Sequence, residues 1–222
     1  MKRVFLFGDS FVHGTGGAQG GWAACIKATL HREMFGEDAV GEQCRIFELG
    51  ISGSTTTDLL TRLEPELKVR LSANSIPDDI IIVFQIGTND TKANDSPHAF
   101  VTTPEVFEKN VRAILQTAKQ YAGHVIVLGL PPVDERKVRP KRSLVTGGDS
   151  YFSNARSREF ENIWQKACQE TNAIFVPMHD AVPEVWIDRC LFTDGLHPND
   201  QGHQWIANQL EPHLRKAIGD WQ

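Results

Sequence analysis

The chain has 222 residues, 41% hydrophobic and 23% charged, which is the balance of a globular protein and excludes a disordered or fibrous one. A net charge of −5 gives no electrostatic footing for nucleic acid, and no apolar run approaches the roughly 18 residues of a membrane span. Four scattered cysteines (Cys25, Cys44, Cys168, Cys190), without a Cys-x-x-Cys pair, read as free thiols of a reducing, cytoplasmic compartment.

Met1-Lys2-Arg3 before Val4–Phe7 has the charge pattern of a secretory leader, but the apolar run is only four residues long. A leader needs about 7–15. The run reads as a buried strand, ended by Gly8-Asp9-Ser10. A loop with five glycines between Gly14 and Gly21 leads to a helix near 21–35, where Trp22 either lines a pocket or starts the helix's buried face. A second strand, Arg45–Leu49, runs into Ile51-Ser52-Gly53-Ser54 and a helix near 57–71 that Pro65 is expected to break or restart. The third strand, Ile80–Ile86, ends at Gly87-Thr88-Asn89-Asp90.

Glu105–Tyr121 carries Phe107, Val111, Ile114, Leu115 and Ala118 on one helical face, with Thr103-Pro104 as its start. A fourth strand, Val125–Leu130, opens a long connection, Pro131–Ser153. Arg136, Lys137, Arg139, Lys141 and Arg142 put five cations into seven residues of that connection. It reads either as a solvated loop or as a mobile flap that attracts anionic substrates. A helix near 154–171, a fifth strand Ala173–Val176, the segment Asp194-Gly195-Leu196-His197 and a helix near 200–217 follow.

Short, continuously apolar strands alternating with amphipathic helices define an α/β fold, with a parallel sheet covered on both faces. Five strands fit a flavodoxin-like three-layer α/β/α arrangement of order 2-1-3-4-5. No repeat or linker divides residues 1–222, which read as a single domain.

In such a sheet ligands bind beyond the carboxyl ends of the strands, and there four polar blocks gather. They supply the parts of an acyl transfer. The Ser10 hydroxyl needs a base, His197 can be that base, and Asp194, three residues earlier, can hold the imidazole's other proton. The backbone N–H groups of Ser10 and Gly53 and the Asn89 amide can serve as oxyanion donors. Asp9 and Asp90 read as loop-bracing acceptors, and His203 as a surface or packing residue of the last helix. A metal cluster of Asp194, His197 and His203 lacks a convincing further ligand set.

The four blocks resemble those of the SGNH (GDSL) hydrolases: Gly8-Asp9-Ser10, the glycine of Ile51-Ser52-Gly53, Gly87-Thr88-Asn89-Asp90, and Asp194-Gly195-Leu196-His197-Pro198, in the family's order. The second block departs from the pattern, since Glu48-Leu49-Gly50 stands where an Asn often precedes the glycine. The resemblance implies a flavodoxin-like sheet, catalysis by Ser10, His197 and Asp194, and an oxyanion hole of Ser10, Gly53 and Asn89. It requires no metal or organic cofactor. It implies a small-molecule ester, thioester or O-acetyl substrate, with neither nucleic acid nor a membrane anchor as partner. The competing readings are an acyltransferase and a flavodoxin-like binding protein with vestigial blocks.

Overall fold

A computed structural model describes residues 1–72, 74–142 and 147–219. In chain order, β1 (Lys2–Gly8) passes through a single helical turn, α1 (Ser10–His13), into α2 (Gly21–Phe35). β2 (Cys44–Gly50) leads to α3 (Thr56–Lys68), and β3 (Ile80–Gln85) to the two-residue β4 (Ala93–Asn94) and then α4 (Pro104–Tyr121). After β5 (His124–Leu128) come α5 (Glu135–Val138), β6 (Lys141–Arg142), β7 (Asp149–Tyr151) and α6 (Asn154–Thr171). β8 (Ile174–Val176) and α7 (Asp200–Ile218) complete the order.

Five strands pair in parallel as β2-β1-β3-β5-β8, which is the expected 2-1-3-4-5 when strands are counted within this sheet. The alternation of side chains along each strand builds a core on either face. Val4, Leu6, Ile81, Val83, Ile126 and Leu128 meet Trp22, Ile26 and Leu30 of α2 and Ile206, Leu210 and Leu214 of α7. Phe5, Phe7, Ile82, Phe84, Val125 and Val127 meet α3, α4 and α6 through Leu63, Val111 and Trp164. Burial on both faces is why Val4–Phe7, Ile80–Phe84 and Val125–Leu128 are continuously apolar. Trp22 is fully buried, its indole N–H given to Gln85 Oε1 at 2.6 Å, so it belongs to the helix's inner face.

Two details differ from the sequence reading. Pro65 does not interrupt α3, which continues to Lys68. Its ring lies on the exposed side, while Leu59, Leu63 and Leu67 hold the opposite side against the sheet. Proline leaves the carbonyl four residues earlier without its helical donor, and on the exposed side water can satisfy it; Pro212 is likewise exposed in α7. The long connection is also not structureless, because β4, β7 and β6 form a small antiparallel sheet. Among the described residues no helix is long and apolar enough to cross a membrane.

Candidate active site

The carboxyl ends of β1, β2 and β3 lie side by side, so the segments that follow them converge. Asp9 caps α1 by accepting the Phe11 N–H on Oδ1 at 3.0 Å, and this turn sets Ser10 at the end of β1. Arg62 of α3 ties the same edge together. Its guanidinium donates to Leu49 O at 2.9 Å and to Gly8 O at 2.8 Å, spanning the ends of β2 and β1. Glu48, in the departing second block, instead pairs with Lys27 of α2 at 2.9 Å.

Ser10, His197 and Asp194 stand in one hydrogen-bonded line. His197 Nε2 is 2.9 Å from Ser10 Oγ, and His197 Nδ1 is 2.7 Å from Asp194 Oδ2. Asp194 and His197 share a tight loop, in which the Phe192 N–H donates to His197 O at 2.8 Å and the Gly195 N–H to Phe192 O at 3.0 Å. Asp194 Oδ1 accepts the N–H groups of Leu196 (3.0 Å) and His197 (3.1 Å), while Oδ2 also accepts the Lys141 ammonium at 2.6 Å. Burial raises the carboxyl's pKa, but hydrogen bonds from His197, Lys141 and Leu196 outweigh it and hold Asp194 well below the usual carboxylate range. An ionised carboxylate only accepts, so the proton between the two residues belongs to His197 Nδ1. In the neutral imidazole, Nε2 then turns a lone pair toward the Ser10 hydroxyl.

Gly53 occupies a tight turn closed by the Ser54 N–H donating to Ile51 O at 3.1 Å, with φ of +83°. A side chain there would be strained although the space beside it is open, so glycine answers to the backbone conformation. The N–H groups of Ser10 and Gly53 meet no protein acceptor among the described residues. Asn89 is buried, and its Nδ2 donates to Ser54 O at 3.1 Å and, more loosely, to Asp9 Oδ2 at 3.4 Å. It thus joins the neighbours of Gly53 and Ser10.

Asp90 faces away from this line. It accepts the Thr56 N–H at 2.9 Å and the hydroxyls of Thr56 (2.6 Å) and Thr102 (3.1 Å), bracing the start of α3. His203 is buried and uses both ring nitrogens, accepting the Trp22 N–H at 3.2 Å and donating to Thr15 O at 3.1 Å. It packs the glycine loop and does not join Asp194 and His197 in a ligand set. Among the described residues no group of three His, Cys, Asp or Glu side chains converges on a metal position.

The five cations of the long connection are not free. Arg136 pairs with Asp134 at 2.7 Å, Lys137 with Asp134 at 3.9 Å, and Arg139 with Glu135 at 3.6 Å. Lys141 pairs with Asp194 at 2.6 Å and Arg142 with Asp149 at 3.4 Å. Arg136 also lies 3.9 Å from Asp188. The arrangement speaks against an anion-attracting flap; Arg62 is a site neighbour that the sequence reading did not single out, and Lys141, read there only as one of five loop cations, is a partner of Asp194.

The sequence profile of the GDSL-like lipase/acylhydrolase family matches residues 6–205. The chain belongs to this family. It is accordingly a carboxylic ester hydrolase. The hydrolase is 27% identical over 221 residues to the GDSL esterase/lipase CPRD49 of Arabidopsis thaliana, covering 97% of this chain and 79% of that one. It is 23% identical over 219 residues to the isoamyl acetate-hydrolyzing esterase 1 homolog of Homo sapiens, with 97% and 82% covered. Its fold matches the crystal structure of the lipase/acylhydrolase from Enterococcus faecalis with a TM-score of 0.72 at 20% identity, covering 96% and 95% of the two chains.

Proposed function

We propose that the hydrolase cleaves uncharged carboxylic esters through a Ser10–His197–Asp194 triad. The observation that carries this reading is the line from Ser10 Oγ to His197 Nε2 at 2.9 Å and from His197 Nδ1 to Asp194 Oδ2 at 2.7 Å. His197 takes the Ser10 proton as Oγ attacks the ester carbonyl, and Asp194 stabilises the imidazolium that forms. His197 then gives that proton to the leaving alkoxide. Water enters by the reverse sequence, with His197 again the base, and releases the acid. The N–H groups of Ser10 and Gly53 receive the oxyanion. Asn89 keeps one amide proton on Ser54 O, and the other, held by Asp9 only at 3.4 Å, turns to the oxyanion as charge develops.

The rim supports this choice of substrate class. Ile51, 49% exposed, has its N–H on Gly8 O, and Phe192, 45% exposed, has its N–H on His197 O. Two exposed apolar residues therefore have their backbone tied to the segments that carry Ser10 and His197, and the neighbouring cations pair with carboxylates. Short alkyl esters suit such a rim, in keeping with the isoamyl acetate in the human relative's name.

The test is turnover of short-chain p-nitrophenyl and isoamyl esters by the parent and by Ser10→Ala. Substitution should lower kcat/KM by roughly 10³-fold or more with thermal unfolding unchanged, and a phosphonate should label Ser10. Label on another serine, or full activity in the variant, refutes the assignment.

A further inference from the structure

Lys141 lies far in sequence from every polar block, 53 residues before Asp194, yet its ammonium reaches Asp194 Oδ2 at 2.6 Å. That oxygen is the one that accepts the His197 Nδ1 proton. Among the described residues the carboxylate thus has four donors, three of them within its own Asp194–His197 loop. Lys141 is the fourth and comes from elsewhere. The two side chains are about one-quarter exposed, at 26% and 25%, so the pair is not an ion pair in bulk water. Its backbone is also well anchored. β6 pairs with β7 (Lys141 with Ser150), and β7 with β4 (Ala93 with Tyr151). β4 begins two residues after the turn Asn89–Thr91. The small sheet therefore links the asparagine block to the acid of the Asp-x-x-His block.

We propose that Lys141 is a positioning residue that fixes the Asp194 carboxylate against His197 and restrains the basicity of His197. The inference rests on the catalytic reading of Ser10, His197 and Asp194. Its physical basis is that one carboxylate oxygen serves two cationic partners once the imidazolium forms. The ammonium neutralises part of the charge that would stabilise the imidazolium, and it repels the imidazolium across a few ångströms. It also supplies a strong, charge-assisted bond that holds the carboxylate's orientation. The low pKa of Asp194, due in part to Lys141, agrees with this arrangement.

Among the described residues, the other charged side chains around the loop have their hydrogen bonds and ion pairs elsewhere. From α5, Lys137 packs its Cβ beside Gly195 and pairs with Asp134 at 3.9 Å, while the Asp134 N–H donates to Gly195 O at 2.8 Å. Arg136 neutralises Asp134 further. From α7, His203 has both ring nitrogens occupied, with burial lowering its pKa, and Asp200 accepts the Ala18 N–H. Lys141 is thus the group whose removal changes the field at Asp194.

The test compares Lys141→Met, Lys141→Gln and Lys141→Arg on an uncharged ester across pH. In the Met and Gln variants the acid limb of kcat/KM should move up by about half a unit to one unit, because an unopposed Asp194 lets His197 keep its proton to higher pH. Lys141→Arg should restore the parent profile. An unmoved limb in Met and Gln, or an equal move in Arg, overturns the proposal. A second measurement does not need turnover: NMR titration of His197 in Ser10→Ala, with and without Lys141→Met, should show the same upward shift. If Ser10→Ala stays active, the catalytic reading fails by itself and the NMR arm still decides the coupling. If His197 titrates identically in both backgrounds, the proposal fails and the catalytic reading stands. Loss of the fold in both Met and Gln variants would mark Lys141 as a structural tie and also overturn it.

Discussion

Asp9 adjoins Ser10, the proposed nucleophile, and its chemistry is set by burial. It is 1% exposed, and that burial, with repulsion from Asp90, pushes its carboxyl up to about 7 against the Phe11 N–H and Arg62, which favour the ion. The folded value exceeds the unfolded one of about 4, so the folded state binds the proton more tightly. Asp9 therefore contributes stability that is fully present below pH of about 4 and is lost as pH rises through about 7. Asp9→Asn is neutral throughout and does not suffer this loss. Between pH 5 and 8 the stability of the variant relative to the parent should rise by about 2–3 kcal/mol. Denaturant unfolding at four pH values in that window would check it, and a constant difference would refute it. The position costs stability at the pH where the site would work, which fits a residue kept for the turn that carries Ser10 and for its contact with Asn89.

The glycine-rich segment from Gly14 to Gly21 acts as an element, although it has no regular structure over most of its length. The Thr15 N–H donates to Ser10 O at 2.9 Å, Thr15 O accepts from His203, and the Ala18 N–H donates to Asp200. Gly16, at φ of +94°, lies so close to the His197 loop that an added Cβ would stand 2.2 Å from Pro198 O and 3.1 Å from His197 Cβ. Gly41, at φ of +83°, shares the backbone strain but meets nothing within 4 Å. Both Gly→Ala changes should cost about 1–2 kcal/mol from the left-handed backbone. Only Gly16→Ala should also displace His197 and lower kcat by roughly tenfold or more. Equal activity in the two variants would show that the loop does not set the imidazole. Elements of this kind divide what was readable in the sequence from what was not. β1, β3 and β5 were legible because burial on both faces gives each a continuous apolar run, and α4 because Phe107, Val111 and Ile114 repeat at helical spacing. The first three polar blocks were legible because each lies where an apolar strand stops, and the Asp194–His197 block because it stands just before the last helix. α1 was not, since four residues carry no period, nor were β6 and β7, which are two and three residues long. The tie from Arg62 to Gly8 and the tie from Lys141 to Asp194 were missed because the partners lie 54 and 53 residues away, and only the fold brings them together.

At the scale of the whole molecule, the same distant pairing changes what the charges do. Five cations in seven residues look like an excess when read along the chain. In the fold their carboxylate neighbours are Asp134, Glu135, Asp149, Asp188 and Asp194, five against five, so the segment is locally neutral. What an approaching substrate meets at long range is then the overall charge of −5. Spread over a sphere of about 20 Å radius in water, that charge repels a monoanion by roughly 0.6 kcal/mol at 0.01 M salt and about 0.3 kcal/mol at 0.15 M. Over this range the kcat/KM of an ester carrying one carboxylate, relative to its neutral analogue, should therefore rise, by less than about twofold. An attracting flap would produce the opposite sign, with the anionic ester losing its advantage as salt is added. Steady-state measurements on the ester pair at four salt concentrations separate the two. A fall in the ratio would mean that Arg136, Lys137, Arg139, Lys141 and Arg142 present a positive face despite their partners.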